Sequence, residues 1–385
     1  MKKRLKLLFV VTEDWYFVSH RLALAVAAQQ AGFEVAVATR VGECHETIRV
    51  AGIRLIPFCL SRRIGNPVWE VAALVRLYLQ ERPDIVHHVS LKPIVYGAIS
   101  AWIARVPAQV HAVTGLGWLF TSRIGVLRLI RPVVPWLLAR ALNAQNSLTI
   151  VQNQDDRAVL IRSYLPESRL RLIRGAGVDT DVFQPSVKLP GPIYIALASR
   201  MLWRKGVGDF VEAAYRLRQD GVQARFVLVG AGDPQTVDSI PTAQLEEWHK
   251  SGIIEWWGHR NDMAAVFSLI HIFCLPTGYG EGLPKVLLEA AASGLPTVVS
   301  DTPGCREIVR AGDNGFLVPP RDGPAYVRAL RILSDDGDLR AKMGARAREI
   351  VLAEFCQKRV IKETLAVYQE LAQRNLSVAN TSGHT

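Results

Sequence analysis

Residues 280–289 read GEGLPKVLLE, with Glu281 and Glu289 on either side of a glycine, a proline and a short apolar run. Pro284 suits the first turn of a helix, where a missing N–H leaves no intrahelical bond unmade. Gly282 and Leu283 then fall at the N-terminal edge, where free N–H groups and the helix dipole favour an anion. Gly278, Gly280 and Gly282 let backbone approach a ligand closely. Glu281 hangs before the helix and Glu289 lies about a turn and a half inside it. Carboxylates so placed are good acceptors for vicinal hydroxyl pairs, one on a sugar ring and the other on a ribose. Taken alone, the two acids are equally well explained as a helix-dipole acid and a solvated face residue, the first worth some tenths of a kcal/mol.

A second stretch upstream shifts that balance. ASRMLWRKG, residues 198–206, follows the strand-like YIALA. Arg200 and Lys205 lie just past its carboxyl end, where open α/β sheets bind their ligands. They can neutralise a diphosphate without a metal, Arg as a fork and Lys as a point charge. LVGAGD and then GEGLP…E follow in order.

Working outward, apolar strand-like runs alternate with helical ones. LKLLFVV precedes a helical stretch near 19–31, then come FEVAVAT, IRLIPF, a helix over 68–81, DIVHHV, a helix over 94–104, AQVHAV and SLTIVQ. The series restarts with PIYIALAS, a helix near 207–219, ARFVLVG, IIEWWG, a helix near 261–269, HIFCLP, the helix from 284, and PTVVS. This is the pattern of α/β domains with parallel sheets covered on both faces. It predicts two Rossmann-like, doubly wound domains, over residues 1–182 and 190–350, facing a cleft. GVDTDVFQPSVKLPGP, residues 177–192, is the expected hinge. A helix near 355–375 is expected to pack back on the first domain, and the polar tail after Asn375 to fray.

The 385 residues fit two domains, and 49% hydrophobic with 21% charged residues describe a well-cored protein. Five scattered cysteines without a CxxC motif read as reduced thiols rather than a disulfide framework or zinc site. The apolar run Leu7–Val11 is too short for a signal peptide and reads as a buried strand. Net charge is +11, and residues 85–154 contain no acid. A one-signed region attracts phosphates, nucleic acid or anionic lipid.

These residues resemble family 4 glycosyltransferases of the GT-B fold. EGLPKVLLE is similar to that family's E-x7-E element, and SRMLWRKG to its Arg…Lys diphosphate segment. GAGVDTDVFQP is similar to its hinge, and PGCREIVRAGDNGFLVPPRD to its C-terminal element. The resemblance implies a retaining, metal-independent transferase using a nucleotide sugar, with no cofactor. By it, Arg200 and Lys205 hold the donor diphosphate. Glu281 with the backbone of Gly282, Leu283 and Pro284 meets the donor sugar and phosphate, and Glu289 takes the ribose hydroxyls. The base lies by Gly258 and His259, and uridine is the expected base. Arg200, Lys205 and Glu281 are the residues expected to act in the transfer.

The N-terminal half resembles a narrower group through EDWYFVSHRLALA, HHVSLKPIVYGAISA and HAVTGLGW. Those transferases extend sugars on polyprenyl-diphosphate carriers in bacterial O-antigen, capsule or glycoprotein glycans. His20, Arg21 and Lys92 follow predicted strands and are candidates to receive the anionic acceptor. The plainer reading is that His20 and Arg21 open an exposed helix. Two features depart from the family pattern. TEDWYFVSH stands where many relatives carry a glycine-rich loop. Val113-Thr114-Gly115 stands where many carry a sugar-binding His, with His111 nearby on the strand itself.

Residues 116–142 are apolar and aromatic, with Arg123, Arg128, Arg131 and Arg140 and no acid. That composition suits a segment lying in a membrane interface, with Trp118, Phe120 and Trp136 immersed. A buried helix hairpin with outward arginines is the alternative. The expected enzyme is therefore cytoplasmic, peripheral on the inner face of the plasma membrane. Rival readings are a transferase with a soluble acceptor, a nucleotide-sugar epimerase of the same fold, a nicotinamide dehydrogenase and a nucleic-acid binder. GLGWLF, GVGDF and GAGDP all lack the third glycine of a dinucleotide fingerprint. No nucleic-acid motif accompanies the positive charge.

Overall fold

A computed structural model describes residues 4–61, 65–116, 138–139, 141–144, 146–187, 191–233 and 235–382, with side chains as far as Asn375. The expected interfacial segment, residues 116–142, lies almost wholly outside the described residues. The chain divides into two compact units. One holds Met1–Ala176 and Arg359–Thr385, the other Gly177–Lys358.

The first unit has a seven-stranded parallel sheet in the order β3-β2-β1-β4-β5-β6-β7. The strands are β1 Lys6–Glu13, β2 Glu34–Arg40, β3 Arg54–Pro57, β4 Ile85–Val89, β5 Ala108–Ala112, β6 Ser147–Val151 and β7 Leu170–Leu172. Its helices are α1 Asp14–His20, α2 Leu22–Gln30, α3 His45–Val50, α4 Pro67–Glu81, α5 Leu91–Ile103 and α6 Gln154–Arg162. The central strands are buried on both sides, as their continuous Val, Ile and Leu runs require. Phe9, Val37 and Val110 meet Phe17, Leu24 and Ala25 on one face. Leu8, Val10 and Val86 meet Leu74, Leu77, Tyr78 and Ala101 on the other.

The second unit repeats the plan with six strands in the order β10-β9-β8-β11-β12-β13. They are β8 Ile193–Ala198, β9 Ala224–Val229, β10 Glu255–Trp256, β11 Ile272–Leu275, β12 Thr297–Ser300 and β13 Gly315–Val318. The helices are α7 Val207–Gln219, α8 Thr242–Lys250, α9 Met263–Leu269, α10 Lys285–Ala292, α11 Pro303–Ile308, α12 Gly323–Asp335 and α13 Gly337–Glu354. α14, Gln357–Ser382, ends the described chain. Both units are doubly wound α/β sheets. Among the described residues no helix is long and apolar enough to cross a membrane.

Four expectations need correction. TEDWYFVSH is not a loop, because Asp14–His20 is helical. Buried Asp14 accepts from the N–H groups of Trp15 at 2.7 Å, Gly42 at 2.7 Å and Cys44 at 3.1 Å, tying the end of β1 to the loop after β2. The helix expected at 19–31 breaks at Arg21, whose φ of −131° is not helical. Residues 177–187 do not form a free hinge, and the division falls at Ala176/Gly177 rather than 182. Val178 exchanges backbone bonds with Phe355 and Gln357, and Phe183 packs on the second unit's core. Arg348 donates to the carbonyls of Thr180 at 2.9 Å and Ala292 at 2.7 Å. The tail does not fray at Asn375. Val360, Val367, Tyr368 and Leu371 pack in the first unit's core, and neither Gly nor Pro interrupts the helix before Gly383.

Candidate functional site

In the second unit β8 has β9 on one side and β11 on the other, so the strand order reverses between β8 and β11. Loops leaving such neighbouring strands diverge and open a crevice at their carboxyl ends. The loop after β8 carries Arg200 to Gly206, and the loop after β11 carries Pro276 to Pro284. Gly278 N–H donates to the Arg204 carbonyl at 2.9 Å, which holds the two loops together. Gly206 has φ +76°, and a Cβ there would sit 1.9 Å from the Pro276 carbonyl oxygen. Only glycine fits so close an approach.

This contact brings Lys205 to Glu281. Lys205 Nζ lies 2.6 Å from Glu281 Oε1, both side chains nearly buried. The Tyr279 ring lies 5.4 Å from Lys205 Nζ and from the Arg204 guanidinium. Burial works against the Lys205 charge, but Glu281 and Tyr279 outweigh it and its pKa is raised. Lys205 is therefore a fixed cation at the mouth of α10. Arg200 is not part of this contact. It is exposed and donates to Asp233 at 2.9 Å, a pair that a multiply charged ligand can displace because exposed ion pairs contribute little.

Pro284 is the cap residue of α10 rather than its first turn, with ψ 110° and its carbonyl accepting from Leu287 and Leu288. The N–H groups that open the helix sit directly after the Glu281–Leu283 loop. Gly304, at the start of α11, lies so close that a Cβ would fall 2.6 Å from the Gly282 carbonyl oxygen. Glu289 is 8% exposed, which removes the solvated-face reading. Burial raises its pKa, and Lys285, 3.3 Å away, only partly offsets that. A carboxyl held in so dry a place is a strong acceptor for hydroxyls. Gly258 has φ +66° and accepts from Gly230 N–H at 2.7 Å, so the turn carrying exposed His259 borders the ends of β9 and β10. His259 Nε2 lies 3.0 Å from Asn261 Oδ1.

Among residues that sequence reasoning passed over, Tyr279 walls the Lys205 pocket and Asp233 holds Arg200. The only signal for Tyr279 was its place between two glycines.

In the first unit, Arg21 lies 3% exposed between α1 and α2. Its Nε is buried without a hydrogen-bond partner. The reading of an exposed helix opening does not hold for it. Burial first, and then the Arg21 charge, push the His87 pKa well down. His20 stacks on Tyr16 with ring centroids 4.1 Å apart. Lys92 corrects the sequence reading, because its charge is already matched. Its Nζ contacts Glu70 at 2.7 Å and the Ser61 carbonyl at 2.8 Å, pinning the loop before α4. His111 is fully buried on β5, with Nδ1 3.2 Å from His88 Nδ1. It is part of the core.

Two family models match this chain. Glycosyl transferase 4-like covers residues 6–150, and Glycosyl transferases group 1 covers residues 192–336. The N,N'-diacetylbacillosaminyl-diphospho-undecaprenol alpha-1,3-N-acetylgalactosaminyltransferase of Campylobacter jejuni is 24% identical over 91% of this chain and 95% of its own length. The UDP-Gal:alpha-D-GlcNAc-diphosphoundecaprenol alpha-1,3-galactosyltransferase of Escherichia coli is 27% identical over 72% of this chain and 73% of its own. The crystal structure of Anabaena Alr3699/HepE in complex with UDP and glucose superposes with a TM-score of 0.77 at 18% identity, covering 95% of this chain and all of that one. With the fold, the Lys205–Glu281 contact and both halves matched, the chain belongs to the GT-B glycosyltransferases of the family 4 type.

Proposed function

We propose that this glycosyltransferase moves a hexose or N-acetylhexosamine from a UDP-sugar to a polyprenyl-diphosphate-linked sugar, with retention and without a metal. The observation that carries the proposal is the fixed Lys205 cation against Glu281 at the start of α10. As the anomeric bond breaks, charge gathers on the leaving diphosphate. Lys205, the opening N–H groups of α10 beside Gly282, Leu283 and Pro284, and Arg200 released from Asp233 stabilise that charge. Glu281 orients Lys205 and accepts from donor-sugar hydroxyls. Glu289 accepts from the ribose, and Gly258 and His259 border the base. Retention follows from attack on the face the diphosphate leaves, so no enzyme nucleophile or catalytic base is assigned.

Both relatives named above act, by their names, on diphospho-undecaprenol sugars, which supports a lipid-linked acceptor here. Arg21, buried and without a counter-charge among the described residues, is the residue we assign to the acceptor's phosphates, with His20 beside it. Residues 116–142 are proposed to lie on the anionic cytoplasmic leaflet, and no nucleic-acid partner is proposed. The test is UDP release from a panel of UDP-sugars, with and without a polyprenyl-diphosphate-linked sugar. Acceptor-dependent release with one donor, lost in Glu281→Ala and with a raised donor KM in Glu289→Ala, is expected. Release indifferent to acceptor and to both substitutions would point to a soluble acceptor or to epimerase chemistry.

A further inference from the structure

The helix layer over one face of the first unit's sheet carries a surface that the transfer reaction does not use. Trp69 on α4 is 74% exposed and Trp102 on α5 is 77% exposed. On α4, Trp69, Ala72, Ala73 and Arg76 follow at helical spacing and are all exposed, opposite buried Leu74, Leu77 and Tyr78. On α5, Ile99, Trp102 and Ile103 are exposed at positions i, i+3 and i+4, opposite buried Ile94, Gly97 and Ala101. The Ser100 hydroxyl donates to the Val71 carbonyl at 3.1 Å, so the two helices touch between the tryptophans. Monomeric proteins rarely leave contiguous apolar surface of this kind in water.

The charge on this surface has one sign. Arg76, Arg82 and Arg105 are exposed, and none forms an ion pair among the described residues. The two acids of α4 are both neutralised, Glu70 by Lys92 and Glu81 by Arg54. α5 has no acid, and none occurs from residue 85 to residue 154. A second copy of the chain placed on this face by a two-fold axis would set arginine against arginine. Tryptophan belongs at the boundary of water and hydrocarbon, and arginine meets lipid phosphates there.

We infer that the outer face of α4 and α5 is a docking surface for an anionic phospholipid bilayer. It is separate from residues 116–142. It rests on the proposed function only in giving membrane attachment a purpose, since a lipid-linked acceptor must be met at the membrane. Tryptophan immersion supplies apolar burial, and the three arginines supply attraction to the leaflet.

The experiment is sedimentation of the full chain with vesicles of phosphatidylcholine alone and with a minority of phosphatidylglycerol. Wild type is expected to pellet with the anionic vesicles only. Trp69→Ser/Trp102→Ser and, separately, Arg76→Glu/Arg105→Glu are expected each to lower the partition coefficient by about tenfold or more. These positions are exposed, and circular dichroism melts should match wild type. UDP release with a short-chain, water-soluble prenyl-diphosphate acceptor should be unchanged in both variants, which separates failure of docking from failure of the transfer reaction. Unchanged pelleting in the variants, no pelleting of wild type, or equal binding to neutral vesicles would overturn the inference. So would a dimer in light scattering that the tryptophan substitutions dissolve.

Discussion

Replacing Lys205 by methionine removes the charge at the mouth of α10 while keeping most of the aliphatic shaft. At 2.6 Å and an effective dielectric of about 20, the Lys205–Glu281 attraction is roughly 6 kcal/mol. Withdrawing both ions from water opposes it by several kcal/mol per ion, so the intact pair adds little net stability. Removing one partner is different, because the Glu281 carboxylate stays nearly buried without its cation. Such truncations cost about 3–5 kcal/mol. The lower figure applies here, since the side chains retain 11% and 17% exposure. Lys205→Met should therefore lose about 3 kcal/mol in urea unfolding. The double variant Lys205→Met/Glu281→Gln should regain most of that, a coupling of about 2 kcal/mol. Calorimetric titration with UDP separates stability from function. Loss of one charge-assisted bond to the diphosphate should weaken UDP by about tenfold to a hundredfold in single and double variants alike. If Lys205→Met unfolds with wild-type stability, or the two substitutions add without coupling, the pair is not what organises this site.

Three further outcomes are expected. Burial holds the His111 pKa down at about 3 against an ordinary 6.5, so the unfolded chain binds the extra proton between those values. Stability should therefore be complete above pH 6.5 and fall as the pH drops below it, by about 2 kcal/mol at pH 5 from this residue alone, with His87 and His88 adding in the same direction; a flat urea midpoint from pH 7.5 to about 5 would contradict this. Gly206→Ala forces a left-handed backbone and a clash with the Pro276 carbonyl, costing about 2–5 kcal/mol in urea unfolding with UDP binding lost alongside; wild-type stability and UDP affinity would show that the two loops need no such approach. Lys92→Ala should cost about 1–2 kcal/mol by loosening Glu70 and Ser61, yet leave acceptor KM near wild type, whereas Arg21→Ala should raise it; the reverse pattern would return Lys92 to acceptor binding.

The sheet strands were legible because parallel strands buried on both faces must be continuously apolar, as LKLLFVV and HIFCLP are. The order Arg200, Lys205, Glu281, Glu289 was legible because loops at strand ends and a glycine-rich helix start leave local marks. β7 and β13, of three and four residues, were too short to stand out. Helix α1 was hidden because Asp14 makes its stabilising bonds to Gly42 and Cys44, distant in sequence. The matching of Lys92 by Glu70 and the pairing of Arg200 with Asp233 are likewise nonlocal, and no spacing reports them. Residues 177–187 read as a hinge from their turn chemistry, but Arg348 and the Val178 bridge bind them into the second unit.

The most direct test is to incubate the enzyme with a labelled UDP-sugar and an undecaprenyl-diphosphate-linked sugar, extract the lipid, and determine the anomeric configuration of the new linkage. Label in the lipid fraction, with the donor's configuration retained and the yield lost in Glu281→Ala, is the predicted result. Label confined to the aqueous phase, or an inverted linkage, would contradict the account.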